Sequence, residues 1–332
     1  MHQGRTTKRF VFGKFLQLIT FLVGLLGAGL ATAEAPTGSP KPIWDRVEHG
    51  YADNAGVKIH YVSIGKGPLV VMIHGFPDFW YSWRHQMNAL SSDHQVVAID
   101  QRGYNKSDAP AGDENYSMRY LISDVAAVIK ALGQEKAIIV GHDWGGAVAW
   151  NFAFAKPAMV DKLIVLNLPH PKGLAAALAN NPQARANASY AQKFRLGKST
   201  DPDIMFGGPM NTNTLSGWVT DAREKKRYQE AFKRSNFDAM LAYYKRNYPP
   251  PPEPGAEPPQ TPQLIMPTLL FHGLQDRALP SDGLNNTWDW IDADLTIVSA
   301  PDAGHFVQQD AAELVSDTML WWLKARANKT KQ

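Results

Sequence analysis

Short apolar, β-branched runs that alternate with helical patterns from Leu69 to Leu166 predict a doubly wound, mostly parallel α/β sheet. Two further observations refine that fold class. The alternation stops between about Lys172 and Tyr248, where the pattern is helical and rich in Lys, Arg, Met and aromatic residues. It resumes with Thr268-Leu269-Leu270-Phe271-His272-Gly273. A helical segment is therefore inserted into one sheet. Because the chain returns to that sheet, the segment should lie as a cap over the carboxyl ends of the strands, where such sheets bind ligands.

Taken in order, Gly50 to Val62 reads as a hairpin, two short strands around an Asn54-Ala55-Gly56 turn. Leu69 to Ile73 is a continuous apolar run of the kind buried on both faces of a parallel sheet. There follow a helix over Trp80 to Leu90, a strand over Val96 to Ile99, a helix over Met118 to Leu132 capped by Ser117, a strand over Ala137 to Val140, a helix over Gly146 to Lys156 and a strand over Leu163 to Leu166. Beyond the cap, Pro249 to Pro259 is an extended, stiff connector. Strands over Thr268 to Gly273 and Leu295 to Val298 and a helix over Ala311 to Lys324 close the chain. The predicted divisions are a leader over 1–33, core over 34–171, cap over 172–248, connector over 249–262 and core again over 263–332.

The leader carries its own message. Arg5, Lys8, Arg9 and Lys14 precede the apolar run Leu16 to Leu30, which ends in Ala31-Thr32-Ala33 before Glu34. A charged n-region, an apolar h-region and an A-x-A site predict an export signal cut after Ala33, giving a periplasmic or secreted protein. The alternative is an uncleaved N-terminal membrane anchor, since the run is nearly long enough to span; Gly24, Gly27 and Gly29 interrupt it and favour cleavage, after which no stable membrane association is expected. The whole chain has 34 basic and 31 acidic residues, a formal +3; without the leader's four cations it has 30 against 31, a net of −1. The basic balance belongs to the leader and gives no support for nucleic-acid binding. There are no cysteines, which excludes disulfides, thiol nucleophiles and Cys-type zinc sites. No His-x-x-x-His pair falls on a predicted helix, so no metal and no cofactor is assigned.

The chemistry centres on Gly141-His142-Asp143-Trp144-Gly145, which follows the run Ala137 to Val140 and precedes a helical pattern. A strand turning sharply into a helix between glycines lifts one side chain out of the sheet, and here that side chain is Asp143, not serine. A carboxylate is ionised at neutral pH and attacks carbon without first losing a proton to a base. Asp276 follows the strand ending at Gly273, and His305 lies in Ala303-Gly304-His305-Phe306, after the last strand and before the last helix. Nucleophile, acid, histidine is the chain order of a catalytic triad built on this kind of sheet.

With these residues in hand the sequence resembles the α/β-hydrolase superfamily, in particular its aspartate-nucleophile branch of epoxide hydrolases and haloalkane or haloacetate dehalogenases. The motifs that carry the resemblance are His74-Gly75-Phe76-Pro77, Asp100-Gln101-Arg102-Gly103-Tyr104-Asn105, Gly141 to Gly146 and Gly304-His305-Phe306-Val307-Gln308. Asn105 stands where relatives often carry glycine, and asparagine tolerates the same left-handed backbone. The resemblance implies Phe76 and Trp144 as backbone oxyanion donors and puts His74 and Pro77 at the substrate pocket.

Within that branch the leaving group decides the activity. An opening epoxide produces a strongly basic alkoxide that needs a proton donor, whereas a halide needs only weak donors. Tyr190, with an aromatic four residues on, and Tyr244, in Leu241-Ala242-Tyr243-Tyr244, resemble the paired cap tyrosines of epoxide hydrolases; Tyr243 is a rival for the second place. Haloacetate dehalogenases carry arginines where this chain has Trp144 and Ala147, so an anionic haloacid would lack its clamp. Haloalkane dehalogenases use an indole beside the nucleophile, which Trp144 could supply, and often an asparagine where Phe76 stands. The implied function is hydrolysis of a small apolar epoxide to a vicinal diol through an Asp143 ester that His305-activated water cleaves. Dehalogenation with the same triad is the alternative, and a non-catalytic receptor for a small apolar ligand a third reading. A homodimer is compatible with the sequence.

Overall fold

The computed structural model describes residues 41–205 and 207–327, so the leader and its Ala33 cleavage site lie outside the described residues. Eight described strands form one sheet in the order β1-β2-β4-β3-β5-β6-β7-β8. Strands β1 (Glu48–Asn54) and β2 (Val57–Ile64) make the expected hairpin, turning through Ala55 and Gly56, both at positive φ. Strand β2 also pairs antiparallel with β4 (Gln95–Ile99); every later pairing, through β3 (Leu69–Ile73), β5 (Ala137–His142), β6 (Val160–Leu166), β7 (Thr268–Gly273) and β8 (Leu295–Ala300), is parallel. Strands β3, β5 and β7 are buried along their whole length, which is why they read as unbroken apolar runs rather than alternating ones.

Helices cover both faces. They are α1 (Arg84–Leu90), entered through a 3-10 turn over Trp80–Trp83, α2 (Met118–Ala131) and α3 (Trp144–Ala155) before β6, then α10 (Val307–Asp310) and α11 (Ala312–Ala325) after β8. Helix α3 is apolar almost all round and largely buried, as its position behind the Asp143 turn requires. The sequence predicts Ser117 as the cap of α2, but its side chain makes no capping hydrogen bond. The Met118 N–H donates instead to Asn247 Oδ1, at 2.8 Å, a partner 129 residues away.

Between β6 and β7 the described chain is helical: α4 (Pro171–Asn180), α5 (Pro182–Asn187), α6 (Ser189–Leu196), α7 (Thr212–Leu215), α8 (Ala222–Arg234) and α9 (Phe237–Asn247). Side chains serve as N-terminal acceptors here: Asn181 for α5, Asp221 for α8 and Asn236 for α9. Helix α9 is tied to the core loop that follows β4. The Tyr243 hydroxyl donates to the Arg102 carbonyl at 2.9 Å and the Asn236 N–H to the Gly103 carbonyl at 2.9 Å. Asn105 does hold a left-handed backbone, φ 44°, and does more than a glycine could: its amide donates to Asp100 and its carbonyl accepts from Arg234. Among the described residues no helix is long and apolar enough to cross a membrane.

That loop is anchored by one buried charge pair. Arg102 meets Asp124 of α2 through two bonds of 2.6 Å, both side chains almost fully enclosed. Removing either partner leaves the other charge buried alone. Asp124→Ala is expected to lower unfolding free energy by about 3–5 kcal/mol in a denaturant titration; a loss below about 1 kcal/mol would show that the pair does not anchor the loop.

Candidate active site

Strand β5 ends at His142 and α3 begins at Trp144, so Asp143 alone makes the turn, at φ 52° and ψ −121°. A non-glycine residue holds such a backbone only where its surroundings over-determine it. They do so through missing side chains. A Cβ on Gly145 would stand 2.0 Å from the Ile73 carbonyl oxygen, one on Gly141 would stand 2.2 Å from the Gly145 oxygen, and one on Gly75 would meet Asp143 itself at 2.4 Å. The glycines let β3, its following loop and the turn close on one another, and this puts a backbone donor against the carboxylate: the Phe76 N–H donates to Asp143 Oδ1 at 2.7 Å. The Trp144 N–H, at the start of α3, also favours the charged form of this carboxylate. Oδ1 therefore rests on the Phe76 amide, and Oδ2 faces His305 Nε2 at 3.7 Å.

The predicted triad is assembled. Asp276 Oδ2 lies 2.9 Å from His305 Nδ1, which fixes Nδ1 as the protonated nitrogen and leaves Nε2 toward Asp143. The Ala278 and Leu279 N–H groups donate to Asp276 Oδ1. Sequence reasoning missed Asn167. At the end of β6 its amide donates both to Asp276 Oδ2, at 2.7 Å, and to the Gly304 carbonyl, at 3.0 Å, joining the acid to the histidine loop. Its place between an apolar run and Leu168-Pro169 was the available signal, and the structure gives it a φ of 44°. His142 was also passed over; its Nε2–H donates to the His305 carbonyl at 2.7 Å.

A cavity of about 680 Å³ opens above these groups, between core and cap. Asp143, Asp276, His305, Phe76 and Pro77 line it from below, and Tyr190, Tyr244, Phe194 and Trp218 from the cap. The inserted helices thus do roof the site. The two tyrosine candidates separate cleanly: Tyr244 faces the cavity, its ring 5.6 Å from Phe76 and 5.0 Å from Trp144, while Tyr243 points away to Arg102. One pocket expectation is corrected. His74 does not line the cavity; its fully buried ring lies behind the loop, Nδ1–H donating to the Gly75 carbonyl and Nε2 accepting the Gln101 N–H. Pro77, three residues on, does line the cavity. Among the described residues no cluster could hold a metal ion.

The charges are set by these neighbours. Burial pushes the Asp143 carboxyl above its usual range, opposed by His305 and by the two amides. Burial also works against a charged His305, but the Asp276 carboxylate, and after it Asp143, outweigh this and raise its pKa to about 9. Asp276 falls to about 2: burial opposes its charge, and His305, Asn167 and the Leu279 N–H prevail. Burial pushes both Tyr190 and Tyr244 well above the usual phenol value, with the Asp143 charge adding to it, so both hydroxyls stay protonated donors.

Comparison with known proteins places these motifs among relatives. The sequence profile of the alpha/beta hydrolase fold matches residues 68–312. Epoxide hydrolase 3 of Xenopus tropicalis is 32% identical over 294 residues, covering 83% of this chain and 78% of that protein. The AB hydrolase superfamily protein YfhM of Bacillus subtilis is 31% identical over 294 residues, covering 84% and 99%. Among solved structures, a variant of an epoxide hydrolase from Bacillus megaterium, complexed with its product (R)-3-[1]naphthyloxy-propane-1,2-diol, superposes with a TM-score of 0.74 at 29% identity, covering 83% of this chain and all of that one.

The raised His305 pKa has a thermodynamic consequence. A histidine that titrates near 6.5 unfolded and near 9 folded adds stability that is complete below about pH 6.5 and is lost as pH rises through 9. Thermal unfolding of the protein should therefore lose of order 3 kcal/mol more between pH 7 and 10 than that of His305→Gln. Parallel pH profiles for the two would mean that His305 is neutral in the resting site.

Proposed function

The chain belongs to the epoxide hydrolases of the α/β-hydrolase fold, and we propose that it converts small apolar epoxides to vicinal diols through an ester on Asp143. The observation that carries the proposal is the pairing, across one cavity, of an aspartate nucleophile with two tyrosine hydroxyls kept protonated by burial. Asp143 Oδ2 attacks a ring carbon, the carbon–oxygen bond breaks, and Tyr190 and Tyr244 stabilise and protonate the alkoxide. Esterification removes one of the two carboxylate charges that hold the proton on His305, so the first step itself makes the base of the second.

Neutral His305, its Nδ1–H toward Asp276, then takes a proton from water through Nε2. The hydroxide adds to the ester carbonyl, and the Phe76 amide, already on Oδ1 in the free enzyme, bears the tetrahedral oxyanion together with the Trp144 amide. Collapse expels the diol oxygen, which takes the proton His305 drew from water, and the carboxylate keeps one oxygen from water; the proton His305 shed after esterification restores the tyrosine that protonated the alkoxide. The aromatic lining of the cavity suits an epoxide with an aryl or other bulky apolar substituent, as does the aromatic product bound by the Bacillus megaterium relative. Dehalogenation is less well supported, because Phe76 offers no side-chain donor for a departing halide. Export with cleavage after Ala33 belongs to the same proposal and rests on the leader's charge and apolar run.

The test is a paired assay with styrene oxide for diol and with bromoalkanes and fluoroacetate for halide. Diol formation should vanish in Asp143→Ala, fall tenfold or more in Tyr190→Phe or Tyr244→Phe, and fall about 10²–10⁴-fold in the double variant. Halide release without diol would transfer the leaving-group role to Trp144 and sink the epoxide reading.

A further inference from the structure

The cap does more than roof the cavity and present two tyrosines: it grips the segment that carries His305. Phe306, the next residue, stands at the N-terminus of α10, where its carbonyl accepts the Gln309 and Asp310 N–H groups. One side of its ring meets His305, centroids 5.0 Å apart, and His142, 5.7 Å apart. Against it lies the Trp218 indole from the loop between α7 and α8, 3.8 Å away and within 11° of parallel, the tightest ring pair among the described residues. Trp218 is in turn braced edge-on by Tyr228 of α8 at 5.1 Å. The Tyr228 hydroxyl also meets α10, where the Gln309 amide donates to it at 3.2 Å. The short helix is thus held by the cap at its first turn through Phe306 and again at Gln309.

We propose that Trp218 is a positioning residue for ester hydrolysis, its indole clamping Phe306 so that His305 stays aligned with the Asp143 carbonyl. The proposal rests on the ester mechanism above. Asp276 and Asn167 fix the Nδ1 side of the imidazole, and His142 fixes its backbone carbonyl. The Nε2 side faces open cavity at 3.7 Å from Asp143 Oδ2, too far for direct contact to fix it. A small rotation there misaligns the water that His305 must deprotonate, while the attack of Asp143 on the epoxide needs no histidine and should be spared. Ring opening and hydrolysis would then depend on different parts of one cap: Tyr190 and Tyr244 for the first, Trp218 for the second.

Rapid-quench experiments with styrene oxide, following ester by intact mass and diol by chromatography, separate the half-reactions. Trp218→Leu keeps an apolar wall and loses the flat stack; it should form ester within about twofold of the wild-type rate and hydrolyse it roughly 10–100-fold more slowly, so that ester accumulates. Trp218→Phe restores a flat ring and should recover most of the hydrolysis rate. If Trp218→Leu hydrolyses ester normally, or if both steps slow together as a lost wall or a loosened fold would make them, the positioning role is wrong. His305→Gln is the control for the underlying chemistry. Absence of ester on that variant would overturn the ester mechanism and the clamp with it, whereas ester on it with unaltered turnover in Trp218→Leu would overturn the clamp alone.

Discussion

The close approach of the turn at Asp143 to the end of strand β3 is the constraint on which the rest depends. Gly75, Gly141 and Gly145 have no room for a Cβ, and only in their absence can the Phe76 N–H reach Asp143 Oδ1. That single bond divides the carboxylate into two unlike oxygens. In the proposed mechanism the bound oxygen is where the oxyanion forms and the other is the attacking atom. The positive φ of Asp143 is the strain that accompanies this division, and the buried parallel strands on either side are what hold it.

From that division the electrostatics follow. Asp143, Asp276 and His305 form a net anionic group in a largely apolar enclosure, and the histidine holds a proton because two carboxylates flank it. The same enclosure that raises the carboxyl of Asp143 keeps Tyr190 and Tyr244 protonated, which gives the proposed mechanism its acids and its nucleophile within one cavity. The cap matters to both. It closes the space in which these shifts exist, and through Trp218 and Tyr228 it touches the segment carrying the base.

Much of this was legible in the letters because the signals are short-range. An unbroken run such as Leu69 to Ile73 already states that both faces are covered, and glycines around Asp143 already state that backbones converge. The cap tyrosines were identified through resemblance, and the letters left Tyr243 and Tyr244 as rivals; adjacent helical residues point about 100° apart, and the structure turns Tyr243 to the Arg102 carbonyl and Tyr244 to the cavity. What stayed hidden was long-range. Asn167 meets Asp276 across 109 positions, Asn247 caps a helix 129 positions upstream, and Trp218 stacks on Phe306, none of which a local pattern encodes. His74 failed for a related reason: a motif fixes where a loop is, and the direction of each side chain within it depends on partners such as Gln101.

The central claim is that the new oxygen of the diol passes through Asp143. It is tested most directly by one turnover of styrene oxide with excess protein in H₂¹⁸O, followed by mass spectrometry of the diol and of the peptide containing Asp143. The ester route requires an unlabelled diol and one ¹⁸O in the Asp143 carboxylate. A labelled diol with an unlabelled peptide would mean that water attacks the epoxide directly, and Asp143 would then be a base rather than a nucleophile.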